Sequence, residues 1–179
     1  MINLSHIIEK CRQDDRNAQK ALYEAYKTIL FGICRRYVKR YEVAEDIFTD
    51  GMVKIFKKIK DFKGDGSFEG WMKRIMVNEC LMYLRKNDIL KNNIDLEFVH
   101  IAEHPRIESQ IDNQLILKAI EELPDGYRTV LNLYIIEGYK HREIAEFLQI
   151  SINTSKSQLI LARKKLRDIL KKNLDINAA

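Results

Sequence analysis

Between Ala18 and Val38 the apolar side chains Leu22, Tyr26, Ile29, Leu30, Ile33 and Tyr37 recur at spacings of mostly three and four residues, the signature of an amphipathic helix. A second such stripe, Ala44, Ile47, Met52, Ile55, Phe56 and Ile59, predicts a helix from about Val43 to Ile59. The period then breaks at Asp61-Phe62-Lys63-Gly64-Asp65-Gly66-Ser67, where Ser67 is suited to cap the next helix. That helix spans Phe68 to Lys86, with Phe68, Trp71, Met72, Ile75, Met76, Cys80, Tyr83 and Leu84 as a broad apolar set. From residue 88 to 110 the period is lost, and Asn92-Asn93 and Pro105 punctuate the stretch. Helical patterning resumes at Ile111 and reaches Leu123, stops at Pro124-Asp125-Gly126, and continues from about Tyr127 to Glu137 before Gly138. Two last helices are predicted, a short one over His141–Leu148 and a long one over Ile152–Lys172, separated by Gln149-Ile150-Ser151.

No strand signal or internal repeat interrupts this pattern. It predicts an all-α fold of two small helical domains, residues 1–92 and 111–179, joined by a linker at 93–110. The 179 residues contain only 7 glycines and 2 prolines, which agrees with helix throughout, and 46% hydrophobic residues are enough to form a core. No run approaches the roughly 20 apolar residues of a membrane span. The first ten residues lack the basic start and apolar stretch of a secretory signal, so a cytoplasmic location is expected.

Cys11, Cys34 and Cys80 are too far apart for a disulfide framework or a zinc cluster and are expected to be small core residues. His100 and His104 are four apart, but with no third ligand nearby and Pro105 following they are expected to be loop residues, and no metal site is predicted. No Ser/His/Asp set and no glycine-rich phosphate loop is present, and Glu45, Asp46 and Asp50 share a helix without a histidine partner. A catalytic function and a cofactor are therefore not expected.

The formal net charge of +5 conceals a distribution. Residues 1–92 carry +6, residues 93–110 carry −3, and residues 111–179 carry +2. Within the last segment, residues 151–172 hold seven bases (Lys156, Arg163, Lys164, Lys165, Arg167, Lys171 and Lys172) against the single acid Asp168. Two basic regions flanking an acidic hinge suggest two contacts with a polyanion.

A short helix, a three-residue turn and a longer basic helix form the layout of a helix-turn-helix, whose second helix enters the DNA major groove. Ile144, Ala145 and Leu148 are placed to face Leu159, Ala162 and Leu166, with Ile150 plugging the turn and Ser151 capping the second helix. Gln149 occupies a turn position often held by glycine. This places Asn153, Thr154, Lys156, Ser157 and Ile160 on the leading, outward part, and Arg163, Lys164 and Arg167 where phosphates would be met. In the first domain, the loop Lys63–Ser67 leads into Phe68, Trp71, Lys73, Arg74, Asn78 and Tyr83, the mix of π-faces and cations suited to single-stranded nucleic acid. Spacing alone makes Phe68 and Tyr83 better core residues than ligands.

The stretches AEDIFTDGMVKIFKKIKDFKGDGSFEGWMKRIMVNECLMYLRK and LPDGYRTVLNLYIIEGYKHREIAEFLQISINTSKSQLILARKKLR, in this order, resemble regions two and four of the sigma-70 family. More narrowly, they resemble its short extracytoplasmic-function group. The resemblance implies a promoter-specificity subunit that binds core RNA polymerase through the β′ clamp and β flap, and that is commonly restrained by an anti-sigma factor. It implies polymerase contacts at Asp46, Thr49, Asp50 and Phe56, with Thr49 where relatives usually have glutamine. It further implies minus-10 contacts, with a base flipped into the loop, at Lys63, Ser67, Phe68, Trp71, Arg74 and Asn78. Minus-35 contacts are implied at Asn153, Thr154, Lys156, Ser157, Gln158, Ile160 and Arg163. Relatives more often carry a β-branched residue at position 155, arginine at 158 and, in some, a base at 161. A stand-alone helix-turn-helix regulator remains the alternative that the residues themselves leave open.

Overall fold

The computed structural model describes residues 4–86 and 113–177, with side chains described for 4–86 and 115–173. The linker expected at 93–110, with His100 and His104, lies outside the described residues. Among those that are described, the regular structure is entirely helical: α1 (Leu4–Arg12), α2 (Arg16–Tyr37), α3 (Tyr41–Lys58), α4 (Phe68–Lys86), α5 (Asn113–Glu122), α6 (Asp125–Leu131), α7 (His141–Leu148) and α8 (Ile152–Asn177). The chain divides into two compact units, Met1–Tyr83 and Leu84–Ala179. This division falls in the last turn of α4, earlier than the loss of periodicity suggested.

In the first unit α1 was not expected, although Leu4, Ile7, Ile8 and Cys11 have helical spacing. Asp14 turns the chain between α1 and α2 at φ +60°, and Asp15 caps α2 by accepting a hydrogen bond from the Ala18 amide at 2.9 Å. The core contains Leu22, Leu30, Ile33 and Tyr37 of α2, Ala44, Met52 and Ile55 of α3, and Met72, Met76 and Cys80 of α4. Ile29, expected in the buried stripe, is 44% exposed, since it falls on the outer edge of α2. Helices α3 and α4 meet closely at Gly51, where a Cβ would come within 2.6 Å of Met76 Sδ. An ion pair from Lys54 to Glu79 bridges the same two helices. All three cysteines are buried and form no disulfide, and burial pushes the Cys11 thiol up.

In the second unit α6 passes directly into a wider, π-type turn over Asn132–Ile136. Gly138, at φ +76°, lets the chain reverse so that the Tyr139 amide reaches the Leu133 carbonyl at 2.9 Å. Arg128 is almost fully buried, where its guanidinium donates to the Asp125 carboxylate and to the Glu121 carbonyl at 3.2 Å. A buried charge is tolerable only with such partners.

Candidate nucleic-acid and polymerase interfaces

The helix-turn-helix is formed by α7 and α8. Ile144, Ala145 and Leu148 are buried with Leu159 and Ala162, so a small side chain sits where the helices cross. Glu143 closes the start of α7 by accepting from the Lys140 amide at 2.8 Å. Ser151 caps α8 as expected, its hydroxyl accepting from the Thr154 amide at 2.9 Å. Gln149 ends α7 in the left-handed region, φ 55° and ψ 42°, and the Ile150 amide then reaches the Ala145 carbonyl at 3.0 Å. A side chain held there is strained. Gln149→Gly is therefore expected to stabilise this unit by about 1 kcal/mol, net of the greater freedom of glycine in the unfolded chain. Urea denaturation checks this, and a lower midpoint would reject it.

Along α8 the structure separates the expected minus-35 residues. Asn153, Lys156 and Arg163 are exposed, and with half-buried Ile160 their spacing of three, four and three residues puts them on one face. Thr154 and Ser157 are half-buried and turned to local partners: Thr154 Oγ1 lies 2.8 Å from Ser151 Oγ, and Ser157 Oγ donates to the Thr154 carbonyl at 3.0 Å. Gln158 is not on the outward face. It is 5% exposed, because it follows Ser155 by three residues and joins Ser155, Leu159 and Ala162 on the inner stripe.

Fully buried Ser155 is one half of a polar contact that the sequence pattern did not reveal. Its Oγ lies 2.9 Å from His141 Nδ1, and the imidazole stacks on Tyr134 at 4.5 Å with an interplanar angle of 24°. This ties the start of α7 to α8. Burial holds the His141 pKa below its ordinary 6.5, with Lys156 and Arg163 adding to the effect. A base depressed on folding favours the neutral form, so its stabilising contribution is present above pH 6.5 and is lost as pH falls through the lower folded value. Unfolding midpoints should thus fall more steeply below pH 6.5 in the wild type than in His141→Gln. Parallel curves would rule out this role.

In the first unit Phe62, Lys63, Asp65, Ser67, Trp71 and Arg74 line a depression of about 340 Å³. Gly64 and Gly66 adopt φ +84° and +100° within the loop, and the Ser67 hydroxyl caps α4 by accepting from the Gly70 amide at 3.2 Å. Trp71 is half-buried, stacked on Phe68 at 5.5 Å and packed against Phe62 at 5.5 Å. Trp71, Arg74 and Asn78 share a face of α4 by their spacing of three and four, while Phe68 is 5% exposed and supports the tryptophan from within. The hydrophobic pattern does not single out Phe62, which stands in a segment without period. Its proximity in sequence to Phe68 and Trp71 was the available signal.

On α3, Asp46, Thr49 and Asp50 are exposed, as are the neighbouring acids Glu42 and Glu45, and Phe56 is half-buried. Beside this acidic face runs a groove of about 780 Å³ between α2 and α3, whose walls include Tyr23, Phe31, Tyr41, Thr49, Val53 and Phe56. The helix stripe on α2 gave no hint of this aromatic wall, because Tyr23 and Phe31 lie off the stripe that packs the core.

Comparison with known proteins accounts for both units. The family Sigma-70 region 2 matches residues 22–89, and the family Sigma-70, region 4 matches residues 113–166. Over 176 residues the chain is 26% identical to the ECF RNA polymerase sigma-E factor of Haemophilus influenzae, covering 90% of this chain and 92% of that protein. It is 25% identical to the RNA polymerase sigma-H factor of Pseudomonas aeruginosa, covering 88% and 89%. Among solved structures, the sigma factor RpoE of Bartonella quintana, crystallised with the anti-sigma factor NepR, shares the fold at TM-score 0.51 and 24% identity, covering 85% of this chain and 96% of that one. CnrH in complex with the cytosolic domain of CnrY does so at TM-score 0.50 and 20% identity, covering 93% and 96%. With both regions matched in order along one chain, the protein belongs to the sigma-70 family of RNA polymerase sigma factors, in its extracytoplasmic-function group.

Proposed function

We propose that this protein binds core RNA polymerase and directs promoter-specific initiation, with the first unit melting the minus-10 element and the second reading the minus-35 element. One observation carries the division of labour: a loop cavity backed by Trp71 and the basic Arg74 stands in one unit, and a helix-turn-helix with a basic recognition helix stands in the other. Unstacked bases need a π-face and a cation, whereas duplex DNA needs a helix and phosphate contacts.

Lys63, Ser67, Trp71, Arg74 and Asn78 would meet the melted strand, with Phe68 supporting Trp71 from the core. Asn153, Lys156 and Arg163 would face the minus-35 groove, with Thr154 and Ser157 shaping the start of α8. Polymerase would dock on Asp46, Thr49, Asp50 and Phe56. Each DNA contact is modest alone, since a single small module buries about 600–1,000 Å² on DNA. Tethering makes the second engagement intramolecular, and polymerase would set the spacing. The protein would act in the cytoplasm as a non-catalytic subunit. No described helix is long and apolar enough to cross a membrane. A similar sigma factor co-crystallised with an anti-sigma factor makes a restraining partner part of the proposal.

Run-off transcription with purified core polymerase and a random promoter library tests this. Enrichment of two-part promoters only when polymerase and this chain are combined is the expected result. Selective duplex binding by the chain alone, with no transcription, would favour the stand-alone regulator instead.

A further inference from the structure

Helix α1 lies outside the segment matched to region 2, yet it reaches the minus-10 loop. The Arg12 guanidinium donates through Nη2 to the carbonyl of Phe62 and through Nε to the carbonyl of Ile59 at 3.5 Å. Its Nη1 is held by Glu9 at 3.2 Å. These two carbonyls bracket the single 3-10 turn Ile59–Asp61 that links α3 to the loop, and the Phe62 amide closes that turn onto Ile59 at 3.3 Å. Nearby, Lys60 pairs with Asp14 at 2.9 Å, so the turn meets the end of α1 through Arg12 and, through this exposed pair, the connection that follows α1.

What is fastened is the first wall of the cavity. The Phe62 ring packs on Phe68 at 5.1 Å and on Trp71 at 5.5 Å, and lines the depression with Trp71 and Arg74. Beyond Phe62 the loop contains Gly64 and Gly66 in conformations that restrain it little. The course of the loop is therefore set at Phe62, where a fork-shaped cation can hold two carbonyls at once.

We propose that Arg12 is a positioning residue for minus-10 recognition, holding the Phe62 end of the loop so that the cavity keeps the shape that takes an unstacked base. This rests on the minus-10 reading of the loop given above. A merely structural role would weaken all functions of the protein together. A positioning role weakens discrimination among melted sequences and spares duplex binding.

The test uses reconstituted holoenzyme and two probes selected from random libraries by the wild type: a forked DNA with a single-stranded minus-10 segment, and a duplex carrying only the minus-35 element. The readout is the affinity for the selected fork relative to one with its minus-10 bases scrambled. Arg12→Ala is expected to lower this ratio about tenfold, the scale of losing the charged hydrogen bond to the Phe62 carbonyl, the stronger of its two contacts with the turn, with the minus-35 duplex bound as before. Arg12→Lys should recover part of the ratio, because an ammonium can hold one carbonyl but lacks the fork. An unchanged ratio in Arg12→Ala, or an equal loss on fork and duplex, would overturn the proposal. Should Arg12→Ala not assemble with polymerase, Arg12→Lys decides, and an unchanged ratio there overturns it too. Trp71→Ala separates the two levels: if it leaves the ratio intact, the loop reading itself fails and the role of Arg12 with it. If only Trp71→Ala lowers the ratio, the loop reading stands and the positioning role alone is lost.

Discussion

Trp71→Ala is expected to slow formation of the open complex about 10- to 100-fold, the value of one base stacked on an aromatic side chain, while closed-complex binding stays within about twofold because paired bases offer no free face. The size of the effect follows from the surroundings of the ring. Trp71 is half-buried, is supported on one side by Phe68 and Phe62, and still lines the cavity. For an arriving base it would thus be a preorganised platform that loses little side-chain freedom. Removing it also takes a packing partner from both Phe62 and Phe68, so Trp71→Phe is the needed companion and should retain most of the activity. Permanganate reactivity of minus-10 thymines against time reports opening, and footprinting at low temperature reports closed binding. Equal losses in the two measurements would reject the assignment.

Lys156→Ala should weaken holoenzyme binding to promoters with a minus-35 element about tenfold, as expected for a lost charge-assisted phosphate contact. Lys156 is exposed in the second turn of α8, on the same face as Asn153 and Arg163. A phosphate contact carries no base information. The loss should accordingly be uniform across minus-35 sequences, and the slope of log affinity against log salt should fall by about 1. Promoters from which the minus-35 element has been deleted should not respond. A change in preference at one base pair, with an unchanged salt slope, would move Lys156 from phosphate contact to base reading. Unchanged transcription from every promoter would remove it from the interface.

Much of this molecule could be read from spacing. Helices α4 and α7 have the expected bounds, and α2 and α3 differ by about two residues at their ends. Capping by Ser67 and Ser151 followed from the chemistry of a hydroxyl placed just before an apolar period. Helix α1 went unrecognised although Leu4, Ile7, Ile8 and Cys11 carry the period, because nine residues span little more than two turns and offer few repeats against which to judge. The pattern predicts continued α-helix through the wide turn after α6, since Leu133, Ile135 and Ile136 continue an apolar period that does not distinguish one helical register from the next.

The functional residues divide along the same line. Of the residues that the helix-turn-helix layout places outward, Asn153 and Lys156 are exposed, whereas Thr154, Ser157 and Ile160 are half-buried; Arg163, expected one turn later toward phosphates, is exposed on the same face as Asn153 and Lys156. Gln158 was placed in the interface by likeness to relatives and is buried, since the inner stripe of α8 in this chain includes Ser155 and Gln158.

Periodicity, breaker residues and charge determined the all-helical class, the two-part plan, the helix-turn-helix and the uneven placement of basic charge, all of which depend on residues near one another in sequence. Tertiary structure decided the rest: the aromatic groove between α2 and α3, the His141–Ser155 contact, and the attachment of Arg12 to Phe62. The His141–Ser155 contact joins residues 14 apart and the Arg12–Phe62 contact residues 50 apart. Helical period specifies which way a side chain points but not which helix it meets, and that choice is made only when the cores of α1 to α4 and of α5 to α8 close.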